Sequence, residues 1–188
     1  MDLESIVANI EASGLGEWMR GSLKAMPVVE SIHVMAIAIL FGTILIVDLR
    51  LLGFPNTRRS FTLVSDELLR FTWAAFVIAL ITGAMMFAAN ASTYFVNTPF
   101  RWKMLALVVA GINMAIFQLR TVRGVAGWDR NAPAPVAGRV AGAVSILTWT
   151  AVIFLGRWVG FTKGYNFEIP EDLDLDFDFL EIGLLLAP

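Results

Sequence analysis

Few residues in this 188-residue chain are equipped for chemistry. Glu30 and His33 stand three apart, so on a helix they share a face. Glu-x-x-His is the pattern with which helical bundles hold metal ions, but carboxylate-bridged di-metal sites need two such motifs and two further acids. Here His33 is the single histidine, and there is no cysteine. Thiolate metal centres, disulfides and cysteine nucleophiles are therefore excluded. One histidine also rules out bis-histidine haem and leaves only a His–Met pair. Met35, Met85, Met86, Met104 and Met114 offer thioethers to Cu(I), although methionine equally fills gaps in apolar packing. No aspartate reaches His33 from the same half of the molecule to build a Ser-His-Asp triad. Neither a glycine-rich phosphate loop nor an HExxH motif is present. No cofactor is favoured, with haem and copper as alternatives; any metal would fall to His33 and Glu30. Catalysis is the less favoured reading.

The elements that must position these residues are apolar. Hydrophobic residues make up 57% and charged residues 16%, against about 45–50% and about 25% in soluble domains. Mean hydropathy is +0.71. This balance argues against a nucleic-acid partner and for membrane lipid. Crossing the hydrocarbon core takes about 20 mostly apolar residues, and four stretches qualify: 28–47, 71–89, 102–119 and 140–161. The expected fold is thus all-α, a polytopic four-span bundle over 27–161. Pro27 suits the first turn of span one, Gly53 and Pro55 end it, Pro99 precedes span three, and Pro133 and Pro135 punctuate the loop before span four. Trp102, Trp149, Trp158 and Tyr94 fall near span ends, where amphipathic rings favour the headgroup region.

Ionisable groups at membrane depth are costly and mark candidate sites. On the outer side Glu30, His33, Lys103 and Arg157 can meet in a compact bundle. They form either a salt-bridge network that pins the helices or a ligand or metal site. On the inner side Asp48 and Arg50 are two apart and do not face each other on a helix, so Arg70 and Arg120, at the same depth, are the expected partners of Asp48. No acid lies between Glu30 and Asp48 or within spans two to four, which disfavours a proton path. No internal repeat supports an inverted-repeat transporter; an oligomeric pore or carrier is a weaker alternative. Asn113, Gln118, Thr82 and Thr148 are expected to hydrogen-bond between helices.

The loops expected on one side carry eight of the 14 basic residues (Arg50, Arg58, Arg59, Arg70, Arg120, Arg123, Arg130, Arg139) and the other side six. By the positive-inside rule both termini lie outside, periplasmic in a bacterial inner membrane. No cleavable signal is visible. Residues 1–26 read as an amphipathic surface segment, with Leu3, Ile6, Val7 and Ile10 on one helical face. Gly14 and Gly16 should break that helix, and a second from about Glu17 to Met26 should lead into span one. Phe61 to Leu69 reads as a similar surface helix on the inner side.

Residues 162–188 form an acidic tail. Seven of the 16 acids fall between Glu168 and Glu181, with no base among them. Asp172 to Phe179 alternate acid and apolar with period two, a strand pattern. An isolated extended segment cannot bury its apolar face, so Asp174, Leu175, Asp176, Phe177, Asp178 and Phe179 are candidate docking residues for another membrane protein or a second copy. An EF-hand is excluded by Phe179 and Leu185 where Gly and Glu are required.

Glu30-Ser31-Ile32-His33-Val34-Met35-Ala36, Gly42 and Asp48-Leu49-Arg50-Leu51-Leu52-Gly53 resemble the first span of an uncharacterised family of small bacterial four-helix membrane proteins. Tyr94, Asn97, Phe100, Lys103 and Gly156-Arg157-Trp158 are similar to its other marks. That family more distantly resembles the membrane domains of copper-resistance D-type proteins. The resemblance spans about residues 25–160 and implies a fold and an inner-membrane location. Relatives often carry a second histidine where this chain has Gln118. The favoured function is a non-catalytic inner-membrane subunit that associates with a larger assembly or with itself; metal or haem handling centred on Glu30 and His33 is the alternative.

Overall fold

The computed structural model describes residues 2–54, 60–129 and 133–162. Seven α-helices follow one another: α1 (Leu3–Glu11), α2 (Gly14–Gly21), α3 (Ala25–Leu52), α4 (Phe61–Ala89), α5 (Ala91–Val96), α6 (Thr98–Ile116) and α7 (Val136–Thr162). Among the described residues there is no strand. Four helices, α3, α4, α6 with its continuation to Arg120, and α7, are long and apolar enough to cross a membrane. The candidate docking residues of the acidic tail lie outside the described residues.

The helices are longer than the apolar runs that announced them. Phe61–Leu69 is not a separate surface helix: it is the first third of the 29-residue α4, because no Gly or Pro interrupts the chain between Leu69 and Phe71. Gly53 ends α3 in the left-handed conformation, with φ 94°, which glycine adopts without steric cost. The Phe54 N–H then reaches back to the Leu49 carbonyl at 2.9 Å, satisfying a carbonyl left open at the helix end. At the start of α6, Asn97 accepts from the Phe100 N–H at 3.0 Å and Pro99 fills the first turn. After Ile116 the chain widens into a π-turn over Phe117–Thr121, then tightens into a 3₁₀ turn over Val122–Gly127.

The spans are arranged α4–α3–α7–α6. α3 packs along both α4 and α7, α7 packs on α6, and no extended contact joins α4 to α6. Side chains bridge that gap at its two ends. Phe87 of α4 stacks on Phe100 of α6 at 5.7 Å, with the Tyr94 ring alongside. At the opposite end Phe61 meets Phe117 edge-on at 5.9 Å and Trp128 at 5.0 Å. Leu51, Phe61, Phe117, Trp128 and Ala134 form the buried cluster of this end, here called the loop end. Tyr94 is buried in its aromatic stack. Trp102 and Trp158 are exposed.

The N-terminal helices close the other end, the cap end. The break between α1 and α2 falls at Ala12–Ser13, and Gly14 and Gly16 belong to α2. Ser13 caps α2 by accepting from the Gly16 N–H. Gly16 serves packing: a Cβ there would stand 2.7 Å from the Ala88 carbonyl oxygen. A second break at Ser22–Lys24 separates α2 from α3, so the expected Glu17–Met26 helix does not run into span one. Met19, Ala25, Val29 and Ala89 make a buried cluster beneath α2. Of the apolar face expected on α1, Val7 is buried and Leu3, Ile6 and Ile10 stay exposed.

Candidate functional site: two polar clusters at opposite ends

At the loop end, α3 carries Asp48 and Arg50 four and two residues before its last residue, Leu52, both buried, at 5% and 4% exposure. They do turn different ways. Asp48 faces α7, where Ser145 hydrogen-bonds its carboxyl and where a Cβ on Gly142 would come within 3.1 Å of the Asp48 carbonyl oxygen. The second carboxyl oxygen, Oδ2, has no hydrogen-bond partner. Arg50 turns to the connection before α7 and donates from Nη2 to the Asp129 carbonyl at 3.0 Å. Arg70 and Arg120, the expected partners of Asp48, are exposed.

Asp129, which sequence patterning did not single out, organises this end. Its carbonyl also accepts from the Phe61 N–H at 3.0 Å. Its carboxylate accepts from the Thr62 N–H at 2.9 Å and the Thr62 hydroxyl at 3.0 Å. Ser60 occupies the N-cap of α4 but makes no side-chain cap bond, so Asp129 supplies the anionic cap from 67 residues away. A carboxylate at this position also complements the helix dipole.

At the cap end, His33 is half-buried on α3. Its Nδ1 lies 2.8 Å from the Thr82 hydroxyl of α4. That hydroxyl gives its one hydrogen to the Ile78 carbonyl at 2.7 Å. The network therefore assigns the Nδ1 proton to His33, which donates to Thr82. Gly83 leaves room for the ring: a Cβ there would stand 3.2 Å from Cε1. The charges that act on the ring are those of Lys103 and Glu30. Lys103 is half-buried on α6. Its Nζ lies 5.4 Å from the centre of the Phe100 ring, and its stem passes close to Gly156 of α7. Glu30 is exposed at the outer rim of the cluster. Arg157 is exposed too, its guanidinium 5.0 Å from the Phe161 ring. The structure thus joins His33 and Thr82 across α3 and α4, and the charges of Lys103 and Glu30 act on the ring from α6 and α3. The described contact of Arg157 is aromatic.

Above this cluster Arg20 and Glu11 tie the cap to the spans. Arg20 donates to the Ala89 carbonyl at the end of α4 (2.9 Å) and to the Glu11 carbonyl at the end of α1 (2.8 Å). The Glu11 carboxylate accepts from the Ser92 N–H at the start of α5, at 2.7 Å, and lies 4.0 Å from Arg20. The Ser92 backbone bond, foremost, holds the Glu11 carboxyl below its usual range. Between the ends, Asn113 donates to the Ala141 carbonyl of α7 at 3.0 Å and Thr72 to Thr43 at 2.9 Å. Among the described residues no three His, Asp or Glu side chains converge as a metal site requires.

The described residues form an all-helical fold in which four helices are long and apolar enough to cross a membrane, and this defines the class. Within that class, residues 11–162 match the model of a family of unknown function, DUF6644, and the chain belongs to that family. No curated protein and no solved structure matches it.

Proposed function

We propose that this protein is a non-catalytic integral subunit of a bacterial inner membrane, with both termini periplasmic, and that it associates with other membrane proteins or with itself. The observation that carries the reading is a groove along α6 and α7. Its lining residues are half-buried at Ala106, Thr148, Ala151 and Leu155 and exposed at Trp102, Leu105, Val109 and Leu147. In lipid, helices associate by close backbone approach over small residues, and Ala106 and Ala151 offer such residues in this groove. Only 11–22% of each span's most apolar window is buried within the chain, so large apolar surfaces remain for lipid or protein. The eight-to-six distribution of basic residues supports the orientation. The acidic tail supplies a second docking element on the periplasmic side.

Gentle extraction from native membranes followed by native electrophoresis tests the proposal. The full chain should migrate as a complex well above 20.7 kDa after allowance for detergent. Ala151→Trp, which fills the groove, and truncation after Lys163 should each reduce that complex. A monomer from native membranes, or association unchanged in both variants, refutes the subunit role. Stoichiometric metal, or a Soret band lost in His33→Ala, would replace it with the metal- or haem-handling reading.

A further inference from the structure

The cap end divides by charge. Its acids stand on α1, α2 and α3: Glu4, Glu11, Glu17 and Glu30. The start of α6 and the end of α7 carry only bases, Arg101, Lys103 and Arg157. Between Ala91 and Thr162 the sequence holds one acid, Asp129, and it caps α4 at the opposite end. The two helix ends lie side by side. The Asn97 amide donates to the Thr162 hydroxyl at 2.9 Å, and a Cβ on Gly156 would stand 3.7 Å from the Lys103 stem. Arg101 and Arg157 are exposed and Lys103 is half-buried. No described carboxylate lies within 4.0 Å of any of the three. The described ring contacts of Lys103 and Arg157 are Phe100 and Phe161. α6 has no acid in its first turn, so the positive end of its dipole adds to these charges.

We propose that this basic rim is the docking site of the chain's own acidic segment, Glu168–Glu181. Charge complementarity supports the match: the segment holds seven acids and no base. In an extended conformation Asp172, Asp174, Asp176 and Asp178 share one face, about 6.6–7 Å apart, and meet the rim as a row of carboxylates. Leu173, Leu175, Phe177 and Phe179 take the other face, toward lipid or a partner. Chain length supports it as well. α7 ends at Thr162, beside the rim, and the six residues from there to Glu168 reach at most about 20 Å at about 3.3 Å each. The connection makes docking intramolecular, with an effective concentration on the order of millimolar. Ion pairs that are weak singly therefore act together, and the tethered segment is favoured over a second copy. The same negative charge keeps the segment off anionic lipid. This inference rests on the packing of α6 against α7 and is independent of the subunit role.

The chain has no cysteine, so spin labels go only where cysteine is introduced. Val96, exposed at the end of α5 beside the rim, and Leu175 take one label each as Val96→Cys and Leu175→Cys. Double electron–electron resonance on the full chain, diluted with unlabelled chain in phosphatidylcholine nanodiscs, should give a narrow distance distribution. Arg101→Gln with Arg157→Gln should broaden it several-fold. So should about 1 M salt, where the screening length falls to about 3 Å, an arm that needs no charge variant. Reversal of both partners, Arg101→Glu and Arg157→Glu with Asp174→Lys and Asp176→Lys, should restore it. A broad distribution in the unaltered rim, or a narrow one unmoved by the double variant and by salt, overturns the docking. A distance recovered only between chains that carry one label each places the segment on a second copy and overturns the intramolecular site. A distance lost on adding phosphatidylglycerol assigns the rim to lipid phosphate and overturns the segment as its occupant. None of these outcomes bears on the subunit role, which is read from migration of the native complex.

Discussion

The two polar clusters use similar residue types to different ends. At the loop end, Asp48 and Arg50 are buried, and each reaches a partner on a neighbouring segment: Ser145 on α7 and Asp129 before it. Asp129 then caps α4, so α3, α4 and the approach to α7 are locked through one residue. At the cap end, His33 and Lys103 are half-buried, touch a hydroxyl and an aromatic ring, and face one exposed acid. The loop-end bonds join three segments, although the buried Asp48 Oδ2 and Trp128 Nε1 have no hydrogen-bond partner. At the cap end no described carboxylate lies within 4.0 Å of Lys103.

If the loop end is the structural half, its variants should cost the most stability. Phe61→Ala removes the ring that meets both Phe117 and Trp128 and should cost about 3–5 kcal/mol, seen as a large fall in the thermal midpoint in detergent. Arg50→Met should follow, losing charge-assisted bonds worth about 1.5–3 kcal/mol. Comparable midpoints for wild type and both variants would erase the contrast between the ends. Lys103→Met, by contrast, should leave the midpoint in detergent unchanged or higher, since it removes a half-buried cation that no described carboxylate pairs.

Gly16→Ala probes how firmly the cap itself is seated. The added methyl meets the Ala88 carbonyl at 2.7 Å, a backbone atom that cannot step aside, and such overpacking costs about 1–3 kcal/mol. The expected result is faster hydrogen exchange in α1 and α2 with the loop end unchanged. Protection lost evenly along the chain would show that the two ends unfold as one unit.

The helices were legible because their signals are local. Four apolar runs, Pro27, Pro99 and Gly53 mark them within a few residues. The joining of Phe61–Leu69 to α4 was missed because amphipathic residues at a membrane edge and the first turns of a long span look alike until the far end of the helix is seen. The shared helix face of Glu30 and His33 follows from helical spacing. Asp129 could not be found in this way. Its partners Arg50 and Thr62 are 79 and 67 residues distant, and depth matching pointed instead to Arg70 and Arg120, whose long side chains turn outward. The Arg20 and Glu11 knot escaped for the same reason, since both act on backbone ends that pattern cannot pair.

That knot gives the smallest expected effect and the finest division between the ends. The Glu11 carboxyl is held below its ordinary value of 4.5, first by the Ser92 backbone N–H and only weakly by Arg20. A carboxyl whose pKa is depressed on folding stabilises the folded state above its unfolded pKa and loses that contribution as pH falls through the folded one. Attachment of α1 to α5 should therefore be pH-independent from neutrality down to about 4.5 and weaken below it. Glu11 is partly solvent-exposed, so the effect should be small, and salt should barely change it because the principal partner is an amide and not a charge. Limited proteolysis between α1 and α2 across this range measures it. Glu11→Gln should show a flat profile at the acid-weakened level. If it retains the wild-type acid dependence, the titration belongs elsewhere and the cap is held by its apolar contacts alone.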